Sequence, residues 1–398
     1  MYEIAGNIFW NGVKHWTLRN FHGRELSTHR GSTYNSYIIK DEKTVLVDTV
    51  WYPFAESFVK RIAADPGLQG IDAVVINHVE PDHGGSLGRL FDAGLRPGIP
   101  VYCSKAGVDI INKYYHGNGW NLQAVGDGDS VRIGRYELAF FDLKMIHWPD
   151  SMMTYVKGAG VLLSNDAFGQ HYCTSGFFND EAETPALFEE AEKYFACILA
   201  PYTRLIERRL GEFLSLGLQV DMIAPSHGVI WRDNPAQIVG KYLEWSKSYS
   251  DGSVVIAYDC LYEATASIAE AIARGLFNRG VKHKIVNVGD SDVSDLIADL
   301  FRASGMIIGS STINNSMHRS VAGLLDDVRG HQLKGKLGAA FGSYGWSGEA
   351  PKHIAEHLKQ TGLRMFGEPI RIKYAPTGAE LAECTAFGEQ FADALKSN

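Results

Sequence analysis

His78, Glu80, Asp82 and His83 stand within one short run, His78-Val79-Glu80-Pro81-Asp82-His83, directly after the apolar run Ala73-Val74-Val75-Ile76. A strand ending in such a run presents imidazole and carboxylate donors at a sheet edge, where a loop can wrap around an ion. A mixed nitrogen and oxygen set suits zinc or iron, and not magnesium or calcium alone. A chance cluster of solvated charges is the bland alternative. The histidines bracket the acids and an aliphatic strand delivers them, which weighs against it. Three further donors also follow short apolar runs: His147 in Met145-Ile146-His147-Trp148-Pro149-Asp150-Ser151, Asp166 in Leu162-Leu163-Ser164-Asn165-Asp166, and His227 in Ile223-Ala224-Pro225-Ser226-His227-Gly228. Taken singly, His147 could pack on Trp148 and Asp166 could be a turn acid. With the first cluster they form a constellation that points to metal.

The spacing His-x-Glu-x-Asp-His resembles the His-x-His-x-Asp-His signature of the metallo-β-lactamase superfamily. Glu80 stands where hydrolases of that superfamily usually carry a second histidine. A carboxylate there makes the site harder and more anionic, which favours iron and dioxygen chemistry over a zinc-bound hydroxide. With the downstream donors and the second half described below, the chain resembles the flavodiiron proteins (the A-type flavoproteins) over essentially its full length. The resemblance implies two irons, one held by His78, Glu80 and His147, the other by Asp82, His83 and His227, with Asp166 bridging. It also places His22, Tyr34, Asn35, Trp148, His171 and Tyr194 in or around the pocket. His22, His171 and Tyr194 read equally well as packing or surface residues.

The elements that must position these groups are those of an ordinary globular chain. With 398 residues, 45% hydrophobic and 21% charged, the chain is long enough for two or three substantial cores. A net charge of −8 and the lack of any Lys/Arg block argue against nucleic acid. No apolar run approaches a membrane span, and Met1-Tyr2-Glu3-Ile4 lacks the order of a signal peptide. A cytoplasmic location is expected. The cysteines, Cys103, Cys173, Cys197, Cys260 and Cys384, are scattered and odd in number, without a Cys-x-x-Cys pair. That argues against a disulfide framework and against a fused rubredoxin-type centre. Buried, inert thiols are expected for most of them.

Two parts are expected along the chain: a metallo-β-lactamase-like αβ/βα sandwich over 1–250 and a flavodoxin-like doubly wound parallel sheet over 251–398. In the first, Tyr37 to Lys40 and Thr44 to Val47 read as a hairpin, and Val131 to Leu143 as a second about Gly134. Pro185 to Ala200 reads as a helix stopped at Pro201, and Gln237 to Ser248 as the last helix. The polar stretch 248–253 interrupts the pattern. Beyond it the rhythm becomes strand-loop-helix. Strands are expected at Val254–Ala257, Lys284–Val288, Gly305–Gly309 and Lys336–Phe341, with helices at Ala264–Arg279, Val293–Ala303 and Ala350–Thr361.

Three strand-end loops in this half look like FMN loops. Asp259, Cys260, Leu261, Tyr262, Ala264 and Thr265 form the first, where main-chain N–H groups can cradle a phosphate. Ser311, Thr312, Ile313, Asn314 and Asn315 form the second, able to meet the isoalloxazine edge. Ser343, Tyr344, Gly345, Trp346, Ser347 and Gly348 form the third, with aromatics to stack and glycines for close approach. The first departs from the flavodoxin pattern, because Cys260 and Ala264 occupy hydroxyl positions. Each missing bond costs on the order of 1 kcal/mol, so weaker FMN retention is expected. An α/β domain with ordinary Gly and Ser turns is the alternative for these loops.

Joined, the halves imply an oxidoreductase. FMN would pass electrons from an external donor to the iron pair, which reduces dioxygen to water, nitric oxide to nitrous oxide, or both. The resemblance implies rubredoxin as donor, with a reduced deazaflavin as alternative, because no third domain is expected after Leu395. It also implies a head-to-tail homodimer or a dimer of dimers. Two rivals remain: a zinc hydrolase fused to a flavodoxin-like domain, and an electron carrier whose metal is structural.

Overall fold

A computed structural model describes residues 1–396. The chain divides into two compact units. The first comprises Met1–Phe21, Thr28–Phe195 and Tyr202–Ser246; the second comprises His22–Ser27, Ala196–Pro201 and the chain from Lys247 onward. Two short segments from within the first 250 residues thus group with the second unit, which a contiguous division does not anticipate. Hydrogen bonds explain it: Ser27 N and Oγ both lie 3.0 Å from Ser294 Oγ, and Cys197 Sγ donates to the Ser294 carbonyl.

The first unit is a sandwich of two sheets. One is seven-stranded, in the order Tyr2–Ala5, Ile8–Trp10, Tyr37–Lys40, Thr44–Val47, Ala73–Ile76, Pro100–Ser104, Asn121–Val125. The other is five-stranded: Ser130–Arg132, Glu137–Asp142, Met152–Lys157, Val161–Asn165, Met222–Pro225. Both expected hairpins form, with Tyr37 opposite Val47 and Ser130 opposite Ala139. Strand alternation sends Val45, Val47, Ala73 and Val75 into the space between the sheets, against Leu138, Phe140, Val156 and Leu163. Leu46 and Val74 point the other way and are also fully buried. A strand covered on both faces must read as continuously apolar, as Ala73–Ile76 does.

The helix expected over Pro185 to Ala200 is α-helical only over Thr184–Tyr194. The chain then widens through Phe195–Leu199 and tightens through Ala200–Tyr202 before a second helix, Thr203–Ser215. Pro201 has no N–H to donate to the carbonyl four residues back. That carbonyl, Cys197 O, is taken instead by His331 Nε2 at 3.1 Å.

The second unit is a parallel sheet in the order His283–Asn287, Val254–Asp259, Gly305–Ser310, Leu337–Tyr344, with Arg364–Met365 and Ile370–Lys373 both pairing on the last. The first strand in sequence lies inside the second, so the sheet reverses direction beside it, which is where ligands bind in such folds. Helices Glu263–Asn278 and Gly378–Lys396 pack together over Ile268, Ile272, Leu276, Cys384 and Phe391. They meet at two glycines: a Cβ on Gly275 would stand 2.1 Å from the Thr385 carbonyl, and one on Gly388 2.1 Å from that of Ile272. The helix Arg319–Gly330 and everything after Gln360 were not anticipated. Among the described residues no helix is long and apolar enough to cross a membrane.

Candidate metal centre

Strand ends of the first unit deliver the donors, as their positions in sequence require. Ala73–Ile76 runs into Asn77 and His78, and Pro81 then starts a single helical turn, Pro81–Gly84, that carries Asp82 and His83. Val161–Asn165 ends one residue before Asp166, and Met222–Pro225 two before His227. Gly228 follows with φ +78°, and a Cβ there would stand 1.4 Å from Gln170 Oε1, so only glycine lets the chain turn back past Gln170. All seven donors are buried or nearly so.

They gather in two groups: His78, Glu80, His147 and Asp166, then Asp82, His83 and His227, the donor atoms of each group lying within 4.8 Å of one another. Asp166 reaches both. Its Oδ2 lies 3.1 Å from His147 Nε2 and 3.7 Å from His78 Nε2, while its Oδ1 lies 3.0 Å from His83 Nε2 and 3.6 Å from His227 Nε2. One oxygen for each group is what a bridging carboxylate requires.

The outer partners fix how the imidazoles point. His227 Nδ1 lies 2.7 Å from the Thr33 carbonyl, which can only accept, so Nδ1 carries the proton and Nε2 turns toward Asp82 Oδ2 at 3.0 Å. His78 Nδ1 likewise faces Asp150 Oδ2, leaving Nε2 toward Glu80 Oε2 at 3.1 Å. In each case the lone pair of a neutral ring faces a carboxylate oxygen. Only a proton or a metal cation reconciles two such acceptors. Both Asp82 oxygens and both His83 nitrogens lack an aligned hydrogen-bond partner, although ion-pair distances around them are short. Close approach without alignment is what donors converging on a shared point produce. The residues therefore fit a pair of metal ions.

Without metal, protons take that role. Burial disfavours a charged His78, but hydrogen bonds to Asp150 and Glu80 and the charges of Asp150 and Asp166 raise its pKa well above the ordinary value. His83, buried beside Asp82 and Asp166, is pushed up to about 9. Burial would raise Asp166, yet the charge of His83 and a hydrogen bond from His147 hold it well below the carboxylate range.

Around this cluster, the Trp148 ring lies 5.2 Å from His78, edge-on. His171 is 4.9 Å from His227 and 5.1 Å from Tyr194, with Nδ1 2.7 Å from Ser32 Oγ. Tyr34 is 5.9 Å from His227, and Asn35 Nδ2 donates to the Pro225 and Gly228 carbonyls, bracing the His227 loop. His22 is exposed and lies in the segment that groups with the second unit.

In the second unit the three expected loops follow the carboxyl ends of three adjacent parallel strands. Cys260 N donates to Asp259 Oδ1, and Leu261 N to Ser311 Oγ. Thr312 N donates to the Ser343 carbonyl, tying the second loop to the third, and Ile313 pairs with Ser316 across Asn314 and Asn315, both at positive φ. Arg371 donates to the Ser347 and Gly348 carbonyls. Tyr262 and Trp346 are 84% and 75% exposed, leaving large aromatic faces beside the loops. Thr265, by contrast, is buried with its hydroxyl 2.8 Å from Ser343 Oγ. Aromatic faces and strand-end amides fit a planar flavin.

Comparison with known proteins agrees with both halves. Residues 32–228 match the ODP family beta lactamase model, and residues 256–388 the flavodoxin model. The chain is 42% identical over 393 residues to the anaerobic nitric oxide reductase flavorubredoxin of Vibrio vulnificus (strain YJ016), covering 98% of this chain and 79% of that one. The solved rubredoxin oxygen:oxidoreductase of Desulfovibrio gigas superposes with a TM-score of 0.96 at 32% identity, covering 100% of this chain and 98% of that one. The flavodiiron protein of Giardia intestinalis does so with 0.95 at 31%, covering 99% and 96%. This chain belongs to the flavodiiron protein family. Two groups that orient the histidines of this flavodiiron chain escaped sequence reasoning, Asp150 and the Thr33 carbonyl. Asp150 lies three residues from His147, but nothing local says that it serves His78. A carbonyl leaves no mark in the sequence.

Proposed function

We propose that the chain reduces dioxygen to water, nitric oxide to nitrous oxide, or both, at two irons, with electrons reaching them through FMN from a separate protein. The observation that carries this reading is Asp166, one oxygen turned to each of two buried donor groups whose imidazole lone pairs face carboxylates. His78, Glu80 and His147 hold one iron, Asp82, His83 and His227 the other, and Asp166 both. The 259–265, 311–315 and 343–348 loops hold FMN. When bound, a ferrous pair and a reduced flavin supply the electrons that the gas takes up. The chain's own residues do the rest. Asp150 and the Thr33 carbonyl keep His78 and His227 in the tautomer that offers Nε2. Carboxylates balance the charge of the cations, and Trp148, His171 and Tyr194 wall the pocket against bulk water.

Rubredoxin is the proposed donor, the cytoplasm the proposed location, and a head-to-tail homodimer or dimer of dimers the proposed assembly. Anaerobic stopped-flow of the photoreduced, iron-loaded protein against each gas tests the reading. Reoxidation by at least one gas, with iron present and no thioester or lactam hydrolysis, is the expected result. A lone zinc with hydrolysis would replace it by the hydrolase reading.

A further inference from the structure

The flavin loops are unequal in what they offer a ligand. Between Asp259 and Thr265 the one aliphatic hydroxyl is that of Thr265, and it is buried and bonded to Ser343 Oγ. Two main-chain donors of the same loop are already engaged, Cys260 N by Asp259 Oδ1 at 2.7 Å and Leu261 N by Ser311 Oγ at 3.3 Å. What remains for an anion is the start of the helix Glu263–Asn278, whose first N–H groups have no partner within the helix. That first turn carries Glu263, an exposed acid, and residues 253–273 contain no Lys or Arg. The local field is negative: burial raises the Cys260 thiol, and the charges of Asp259, Glu263 and Asp290 raise it further. The ring end is the reverse, with the Trp346 and Tyr262 faces exposed and the second and third loops tied by the bond from Thr312 N to Ser343 O.

We propose that this site grips a flavin by its ring and not by its phosphate, Glu263 opposing the phosphate, so that it takes uncharged riboflavin nearly as well as FMN. The inference rests on the reading of these loops as a flavin site. A phosphate monoester carries a charge of about −1.5 to −2 near neutrality. A helix N-terminus would favour such a charge, but Glu263 already exploits the same partial positive charge. Because Glu263 is exposed, its repulsion is screened by salt.

The test equilibrates the full chain with an equimolar excess of FMN and riboflavin, isolates the protein and measures the flavins bound. A preference for FMN below about tenfold is expected. Glu263→Gln should raise the bound FMN-to-riboflavin ratio several-fold at low salt and less at high salt, with riboflavin binding alone unchanged. A preference above about tenfold in the unaltered chain overturns the inference, as does a Glu263→Gln chain with the original preference. Binding of neither flavin overturns the flavin-site reading itself, an outcome distinct from tight, phosphate-dependent FMN binding.

Discussion

His78 Nδ1 lies 3.1 Å from Asp150 Oδ2, and the same oxygen accepts the Val79 N–H at 2.7 Å. One buried carboxylate thus anchors both the ring of a proposed iron ligand and the backbone of the residue after it. Removing its charge while keeping its shape should weaken the metal site without unfolding the domain. Asp150→Asn is expected to lower iron affinity by about 10- to 100-fold. Chelator competition followed by metal analysis checks it, and unchanged affinity would remove Asp150 from the site's support.

Metal uptake should depend on pH with a definite sign. In the metal-free chain His83 titrates at about 9, against an ordinary 6.5, so below about pH 9 binding must expel its proton. Affinity should therefore rise with pH through about 9. The sign for metal-free stability is opposite: the contribution of His83 is complete below about 6.5 and is lost as pH rises through about 9. Calorimetry in buffers of different ionisation heat counts the protons released, and none at pH 7 would contradict this.

Glu80→Ala and Asp166→Ala separate the enzyme from an electron carrier. Each should abolish gas reduction while the flavin spectrum and its photoreduction persist. Turnover surviving both changes would return the metal to a structural role.

The crossing of Glu263–Asn278 with Gly378–Lys396 offers a test of packing. Gly275→Ala gains about 1 kcal/mol of helix propensity, but its Cβ would meet the Thr385 carbonyl at 2.1 Å. Forcing the two backbones apart costs about 1–3 kcal/mol, so net destabilisation of up to about 2 kcal/mol is expected. Denaturant unfolding followed in the second unit reads it.

How far the sequence carried depended on where each constraint lay. Donor residues were legible because side-chain type and position after an apolar strand are local facts, as at His78 and Asp166. The parallel strands of the second unit were legible for the same reason, since burial on both faces leaves Val254–Ala257 without polar interruption. The helix Arg319–Gly330 was overlooked although Val321, Leu324, Leu325 and Val328 repeat at helical spacing, because charged and glycine residues fill its other face. The end of the Thr184–Tyr194 helix was misjudged because it depends on where the Cys197 carbonyl finds a partner. That Thr265 would spend its hydroxyl on Ser343 was equally invisible, a contact between residues 78 positions apart.

The donors come from separate segments of the first unit, with long stretches of chain looping from His83 to His147 and from Asp166 to His227. Ions gripped by all of them act as cross-links, shortening the loops that an unfolding chain must open. Iron would then be a clasp for the two-sheet sandwich as well as a reagent, and a chain starved of it would first come undone along that rim.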